Sequence, residues 1–216
     1  MLDVNERAGH RASFFFLALQ QPAAIDAAYT LAEPRIQALL RQLGERGHEV
    51  GLHGSYASVD DAGRQGAELG RLRSAAAAAG MAGVEADGAF GGRQHYLRWR
   101  ADRSPAQLQA LGLAYDSSLG FPDVAGFRCG TCHAYTLFDL AAGQPTTLLE
   151  RPLVLMEVTV TSPVYLGLGH GDEAAALMLG LRARCRRFGG EFSLLWHNSN
   201  LVLAPARRLY RTLIEG

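Results

Sequence analysis

Short apolar runs alternate with amphipathic stretches along the whole chain. Runs with strand character cover residues 12–19, 49–52, 84–90, the neighbourhood of 113–115, 153–161 and 192–196. They are apolar and mostly too short for helices. Between them, helical stretches cover 33–46, 60–79, 104–111 and 172–188. Pro34 falls in the first turn of the first of these and Gly47 follows its end, while Pro105 opens the third. That is the expected asymmetry of helix starts and stops. The alanine run at 75–79 favours helix strongly, and Gly80 ends it. Glycine clusters at 88–92 and 167–171 read as loops. No linker-like shift and no internal repeat interrupts this pattern, so one domain over 1–216 is expected.

Strands separated by helices of this length imply parallel strands with helical crossovers, hence an α/β sheet or barrel. Several predicted strands run directly into a polar residue. The run 49–52 leads into His53 and 192–196 into His197; 113–115 leads to Asp116, and 84–90 leads through two glycines to Arg93. In parallel α/β folds the carboxyl ends of the strands form the active-site rim. Two histidines, an aspartate and an arginine are therefore expected on one face.

Composition narrows the class. At about 150 residues per domain, 216 residues make one domain or little more. A hydrophobic share of 48% with 19% charged residues is an ordinary globular mix, which excludes a disordered or fibrous chain. Twenty-one basic residues balance 21 acidic ones, and the absent basic excess argues against nucleic acid as partner. Every basic residue is arginine, so lysine nucleophiles and Schiff bases are excluded. Three cysteines are too few for a disulfide framework. No apolar run approaches the roughly 18–20 residues of a membrane span. The stretch 11–19 is read as a buried strand rather than a signal peptide, because Asp3 and Glu6 spoil a positive leader. A cytoplasmic location is the expectation that follows.

The segment Gly51-Leu52-His53-Gly54-Ser55 puts an imidazole at a strand end, where it suits a divalent metal or proton transfer. His48, before the strand, is read as structural. Leu195-Trp196-His197-Asn198 repeats the arrangement; Trp196 is read as core and His197 as a general acid. Gly91-Gly92-Arg93-Gln94-His95-Tyr96 presents a fork-shaped cation beside an imidazole, with Arg93 suited to a carboxylate or substrate oxygen and His95 to a further metal ligand. Asp116 is read as a carboxylate that orients a histidine, or as a turn cap. Cys129-Gly130-Thr131-Cys132-His133 matches a haem-attachment pattern and a redox pair, but its context favours loop packing or an incidental disulfide. Cys185 is expected to be buried on a helix. Walker, dinucleotide and nucleophile-elbow motifs are absent.

Segments 12–19, 47–58, 91–99, 115–132, 151–157 and 194–199 together resemble the polysaccharide deacetylase superfamily, the NodB-homology or carbohydrate esterase family 4 group. The resemblance rests on HGSY, GGRQHYLR, YDSSLGF, GFRCGTC and LLWHNS, in that order. It implies a distorted (β/α) barrel and metal-dependent removal of N- or O-acetyl groups from a polysaccharide or glycan. His53 matches the first histidine of the family's metal motif, Arg93 the arginine that orients the catalytic base, and His197 the general acid. Asp116 falls near the segment that tethers the catalytic histidine. A divalent metal, zinc by expectation, is the implied cofactor: its bound water attacks the acetyl carbonyl, and His197 protonates the leaving amine.

Two positions depart from the family pattern. The second metal histidine falls at Ala57, and the aspartate pair that should follow a first strand has no counterpart. Residues 1–7 read as the end of the helix after that strand, so the fold is expected to lack its first strand and the domain to be incomplete at its N-terminal side. The alternative is a catalytically silent glycan-binding or scaffold relative. A thiol redox protein is a third reading, in which Cys129 and not His53 carries function.

Overall fold

The structure, a computed structural model, describes residues 1–81 and 90–216. In chain order the helices are α1 (Leu2–Arg7), α2 (Pro34–Glu45), α3 (Ala62–Ala78), α4 (Ser104–Ala110), α5 (Glu157–Thr161), α6 (Asp172–Arg187) and α7 (Ala204–Glu215). The strands are β1 (Ser13–Leu17), β2 (Glu49–Gly54), β3 (Gly91–Gln94), β4 (Tyr115–Asp116), β5 (Tyr135–Asp139), β6 (Gln144–Glu150), β7 (Leu155–Met156) and β8 (Leu194–Leu195). The predicted strand over 84–90 lies, except for Phe90, outside the described residues, as does Gly88. The chain divides into two compact units interleaved along the sequence.

The larger unit, Arg11–Ser118 with Tyr135–Glu150, holds a six-stranded sheet in the order β1-β2-β3-β4-β6-β5. The neighbours from β1 to β6 are parallel, and β5 returns antiparallel to β6. Together with its helices this is a mixed α/β arrangement. Helix α2 carries Pro34 in its first turn, and Gly47 at φ 70° lets the chain turn into β2. At α3, the Asp61 side chain caps the helix by accepting from Arg64 N at 2.9 Å.

Glycines in β2 and β3 make room for aromatic rings from the neighbouring strands. Phe15 is the register partner of Gly51, and Tyr115 that of Gly91. A Cβ on Gly51 would meet Phe15 ring atoms at 2.7 Å, and one on Gly91 would overlap the Tyr115 ring. Each ring thus covers the glycine beside it, with no Cβ in between.

The smaller unit joins Met1–His10, Leu119–Ala134 and Arg151–Gly216. Its sheet is the parallel pair β7-β8. Helix α6 begins with Asp172 and Glu173 and ends with Arg184, Arg186 and Arg187, which complements its dipole at both ends. Helix α7 buries Ala206, Leu209, Tyr210 and Leu213 along one face. The core includes Val160, Met178 and Trp196, with Trp196 edge-on to Tyr210 at 5.1 Å. Tyr210 Oη accepts from Asn5 Nδ2 at 2.7 Å, which fastens α1 to α7. No helix among the described residues is long and apolar enough to cross a membrane.

The strand expected over 153–161 is corrected by the structure. Extended chain stops at Met156, and the β-branched run Val158-Thr159-Val160-Thr161 is helical. Tertiary contacts override propensity here. Val160 is fully buried, Thr159 Oγ1 donates to Pro122 O at 2.8 Å, and Leu166 N returns to Thr159 O at 3.1 Å.

Candidate functional site

In the larger unit, β2 and β3 deliver two imidazoles to neighbouring positions. His53 and Arg93 are register partners, and His53 Nδ1 donates to Arg93 O at 2.7 Å. His95 follows just beyond β3, its ring 5.0 Å from that of His53. His95 Nδ1 donates to Asp26 Oδ1 at 2.8 Å, and the same oxygen accepts from Tyr56 N at 2.7 Å. Tyr96 and Leu97 carry the chain onward with φ of 59° and 52°. Left-handed backbone at two successive non-glycine residues is strained, and such strain gathers at functional sites. Tyr96 packs on His95 at 4.6 Å and edge-on to Tyr56 at 5.4 Å, while the Arg98 guanidinium lies over the Tyr56 ring.

The loop after β2 is fixed by a buried carboxylate. Glu68 accepts from Ser55 N at 3.0 Å and from the Ser55 hydroxyl. Burial pushes the Glu68 carboxyl up, and the bonds from Ser55 and the charge of Arg71 pull against it. A chain of amides runs on from here: Gln65 Nε2 donates to Gln94 Oε1 at 2.8 Å, and Gln107 donates to Gln65.

Arg93 and Asp116 lie beneath the strand ends. Arg93 donates through Nε to Ser117 O at 2.9 Å and through Nη2 to Ser117 Oγ at 2.7 Å, and its guanidinium stacks on Phe15 at 4.7 Å. Asp116 is fully buried, and Ser118 N donates to its Oδ2 at 2.7 Å. Burial pushes the Asp116 carboxyl up to about 6, against the pull of Ser118 and Arg93.

In the smaller unit, His197 lies two residues past the end of β8. The carboxylate that receives the His197 ring is Glu157; Asp116, read as orienting a histidine or as a turn cap, accepts from Ser118 N in the larger unit. Glu157 Oε1 accepts from His197 Nδ1 at 2.8 Å, from His197 N at 2.7 Å and from Asn200 Nδ2 at 2.9 Å. Glu157 is fully buried, while the His197 side chain is 48% exposed. With Nδ1 held, proton exchange falls to Nε2. All three cysteines are thiols rather than disulfides, and Cys132 and Cys185 both belong to the apolar core.

The structure therefore brings His53, Arg93 and His95 together, and it pairs His197 with a carboxylate the sequence reading missed. Glu157 was hidden because the apolar run seemed to continue through it; a polar residue after Leu155-Met156 repeats the strand-end signal that picked out His53. Glu68 and Asp26 gave no such signal. Asp26 lies in a segment without periodicity, and Glu68 sits inside a helix.

Whether these residues fit the expected metal can be judged from the donor set. Among the described residues, no group of three or more His, Cys, Asp or Glu could hold a metal ion. His53 and His95 are two imidazoles, and Asp26 already serves His95 Nδ1 and Tyr56 N. Catalytic zinc ordinarily takes three protein ligands. The described residues do not make that set.

No family model and no curated protein matches the chain. Among solved structures, the chain is similar to a protein of Mycobacterium smegmatis provisionally assigned as a polysaccharide deacetylase. The identity is 22%, the match covers 99% of this chain and 67% of that one, and the TM-score is 0.64. At that identity the likeness establishes a shared fold, in agreement with the mixed α/β arrangement described above.

Proposed function

We propose that this chain is a polysaccharide deacetylase-like hydrolase that removes acetyl groups from a glycan. The observation that carries the proposal is the Glu157–His197 pair: a buried carboxylate holding the Nδ1 side of an exposed imidazole two residues past a strand. Such a pair fixes the tautomer and heading of the ring, as a group that moves protons in general acid–base catalysis requires. Water adds to the acetyl carbon and gives a proton to the lone pair of His197 Nε2. The same nitrogen then delivers that proton to the leaving nitrogen or oxygen as the acetyl C–N or C–O bond breaks, which frees acetic acid and the amine or hydroxyl. Arg93 and Asp116 serve by holding the ends of β3 and β4 through Ser117 and Ser118. The fold shared with the Mycobacterium smegmatis protein supports the substrate class.

A second reading is a catalytically silent glycan-binding relative. The incomplete ligand set around His53 and His95 favours it. Acetate release separates the two. The hydrolase frees acetate from oligomers of N-acetylglucosamine or from O-acetylated xylan, and His197→Ala abolishes this while the fold is kept. The silent relative retains such oligomers in a binding assay and frees none.

A further inference from the structure

We propose that Asp26 is a positioning residue that sets the tautomer and direction of the His95 imidazole. Asp26 belongs to the segment between β1 and α2, yet one of its carboxylate oxygens meets the exits of two other strands. Oδ1 accepts from Tyr56 N, two residues past the end of β2, and from His95 Nδ1, one residue past the end of β3. The Asp26 side chain is 9% exposed and that of His95 is 21% exposed, so the bond is shielded from competing water.

A carboxylate oxygen can only accept. A neutral His95 is therefore held with its proton on Nδ1, and Nε2 is left with its lone pair. The backbone bond from Tyr56 matters as much as the ring bond. It fixes the carboxylate, and with it the plane and heading of the imidazole that stacks between His53 and Tyr96. Carboxylate–histidine pairs of this kind orient functional imidazoles, and their loss ordinarily costs about 10–100-fold. What His95 does once oriented rests on the deacetylase reading; that Asp26 orients it does not.

The test joins nitrogen-15 NMR of the His95 ring to acetate release, on the full chain. In the unaltered protein Nε2 resonates as the unprotonated nitrogen and Nδ1 as the protonated one. Asp26→Ala turns this into a mixture with Nε2–H and lowers kcat by about 10–100-fold at little change in KM. Asp26→Asn keeps an acceptor on Oδ1, retains the Nδ1–H form and recovers most of the rate, and it also serves if the alanine variant does not fold. An unchanged His95 tautomer in Asp26→Ala overturns the proposal, as does Nε2–H in the unaltered protein. Acetate release absent from every form sinks the deacetylase reading alone, because the ring nitrogens still report on Asp26.

Discussion

Glu157 Oε1 lies 2.8 Å from His197 Nδ1 and 2.7 Å from the His197 backbone nitrogen. One oxygen thus holds both the ring and the strand end that carries it, and Asn200 Nδ2 adds a third donor at 2.9 Å. The other oxygen, Oε2, is buried with no hydrogen-bond partner among the described residues. An arrangement that concentrates three donors on one oxygen and leaves the second bare does little for stability, since a buried charge is costly. It does, however, fix an imidazole.

Glu157→Gln keeps an acceptor for the three donors and removes the charge behind the ring. Its expected effect is a loss of activity of about 10–100-fold with a comparatively small change in the urea midpoint. Glu157→Ala leaves the donors unmet and should cost about 3 kcal/mol as well. Equal activity of Glu157→Gln and the unaltered chain would remove Glu157 from the account.

Burial of Asp116 gives a pH signature. Its carboxyl stands at about 6 in the folded chain, against an ordinary 3.8. Between these values the folded state holds the proton and the unfolded state has released it, so stability falls as pH rises from about 4 to about 6 and is level in this respect above. The drop amounts to about 3 kcal/mol at most. Asp116→Asn should remove this component, which urea midpoints at several pH values compare directly. An identical pH slope in both proteins would contradict the assignment.

Two glycines should respond in opposite directions to the same substitution. Gly91→Ala drives a methyl into the Tyr115 ring, whose hydroxyl donates to Glu49 Oε1 at 2.6 Å, and should cost about 1–3 kcal/mol. Gly70, exposed within α3 and with nothing within 4 Å of an added Cβ, should gain about 0.5–1 kcal/mol as alanine. Thermal unfolding of the two variants checks the pair.

The thiols should differ in reactivity. Burial first, and the neighbouring Cys132 thiol second, push Cys185 up to about 12. Cys132 is itself 5% exposed, whereas Cys129 is partly exposed. Near pH 8, about where an ordinary thiol begins to ionise, iodoacetamide should label Cys129 in the folded chain and reach Cys132 and Cys185 only after denaturation. Peptide mapping reads the result, and rapid labelling of Cys185 in the folded chain would contradict the packing.

Much of this architecture was legible because it rests on local signals. Pro34 and Gly47 bracket α2, Asp172 opens α6, and the apolar runs before His53 and His197 contain strands, β2 running one residue past His53 and β8 stopping two residues short of His197. The β5–β6 hairpin escaped because its inward positions on β6 are Thr146, Leu148 and Glu150, with Leu149 facing outward, so no clean apolar alternation marks it. Thr146 is accommodated by donating to Leu137 O at 2.8 Å, a partner no sequence window contains. Helix α7 has a buried stripe at Ala206, Leu209, Tyr210 and Leu213 that interleaved arginines obscure. Histidines could be nominated from strand ends, but their carboxylate partners could not. Asp26 and His95 are 69 residues apart, and Glu157 and His197 are 40 apart.

The most direct test of the account measures acetate freed from a chito-oligosaccharide by the unaltered chain and by His197→Ala, side by side, with circular dichroism confirming equal folding. The account predicts steady release by the unaltered chain and a loss of about 100-fold or more in the variant. Equal rates in the two proteins, or no release by either across acetylated glycans, would contradict it.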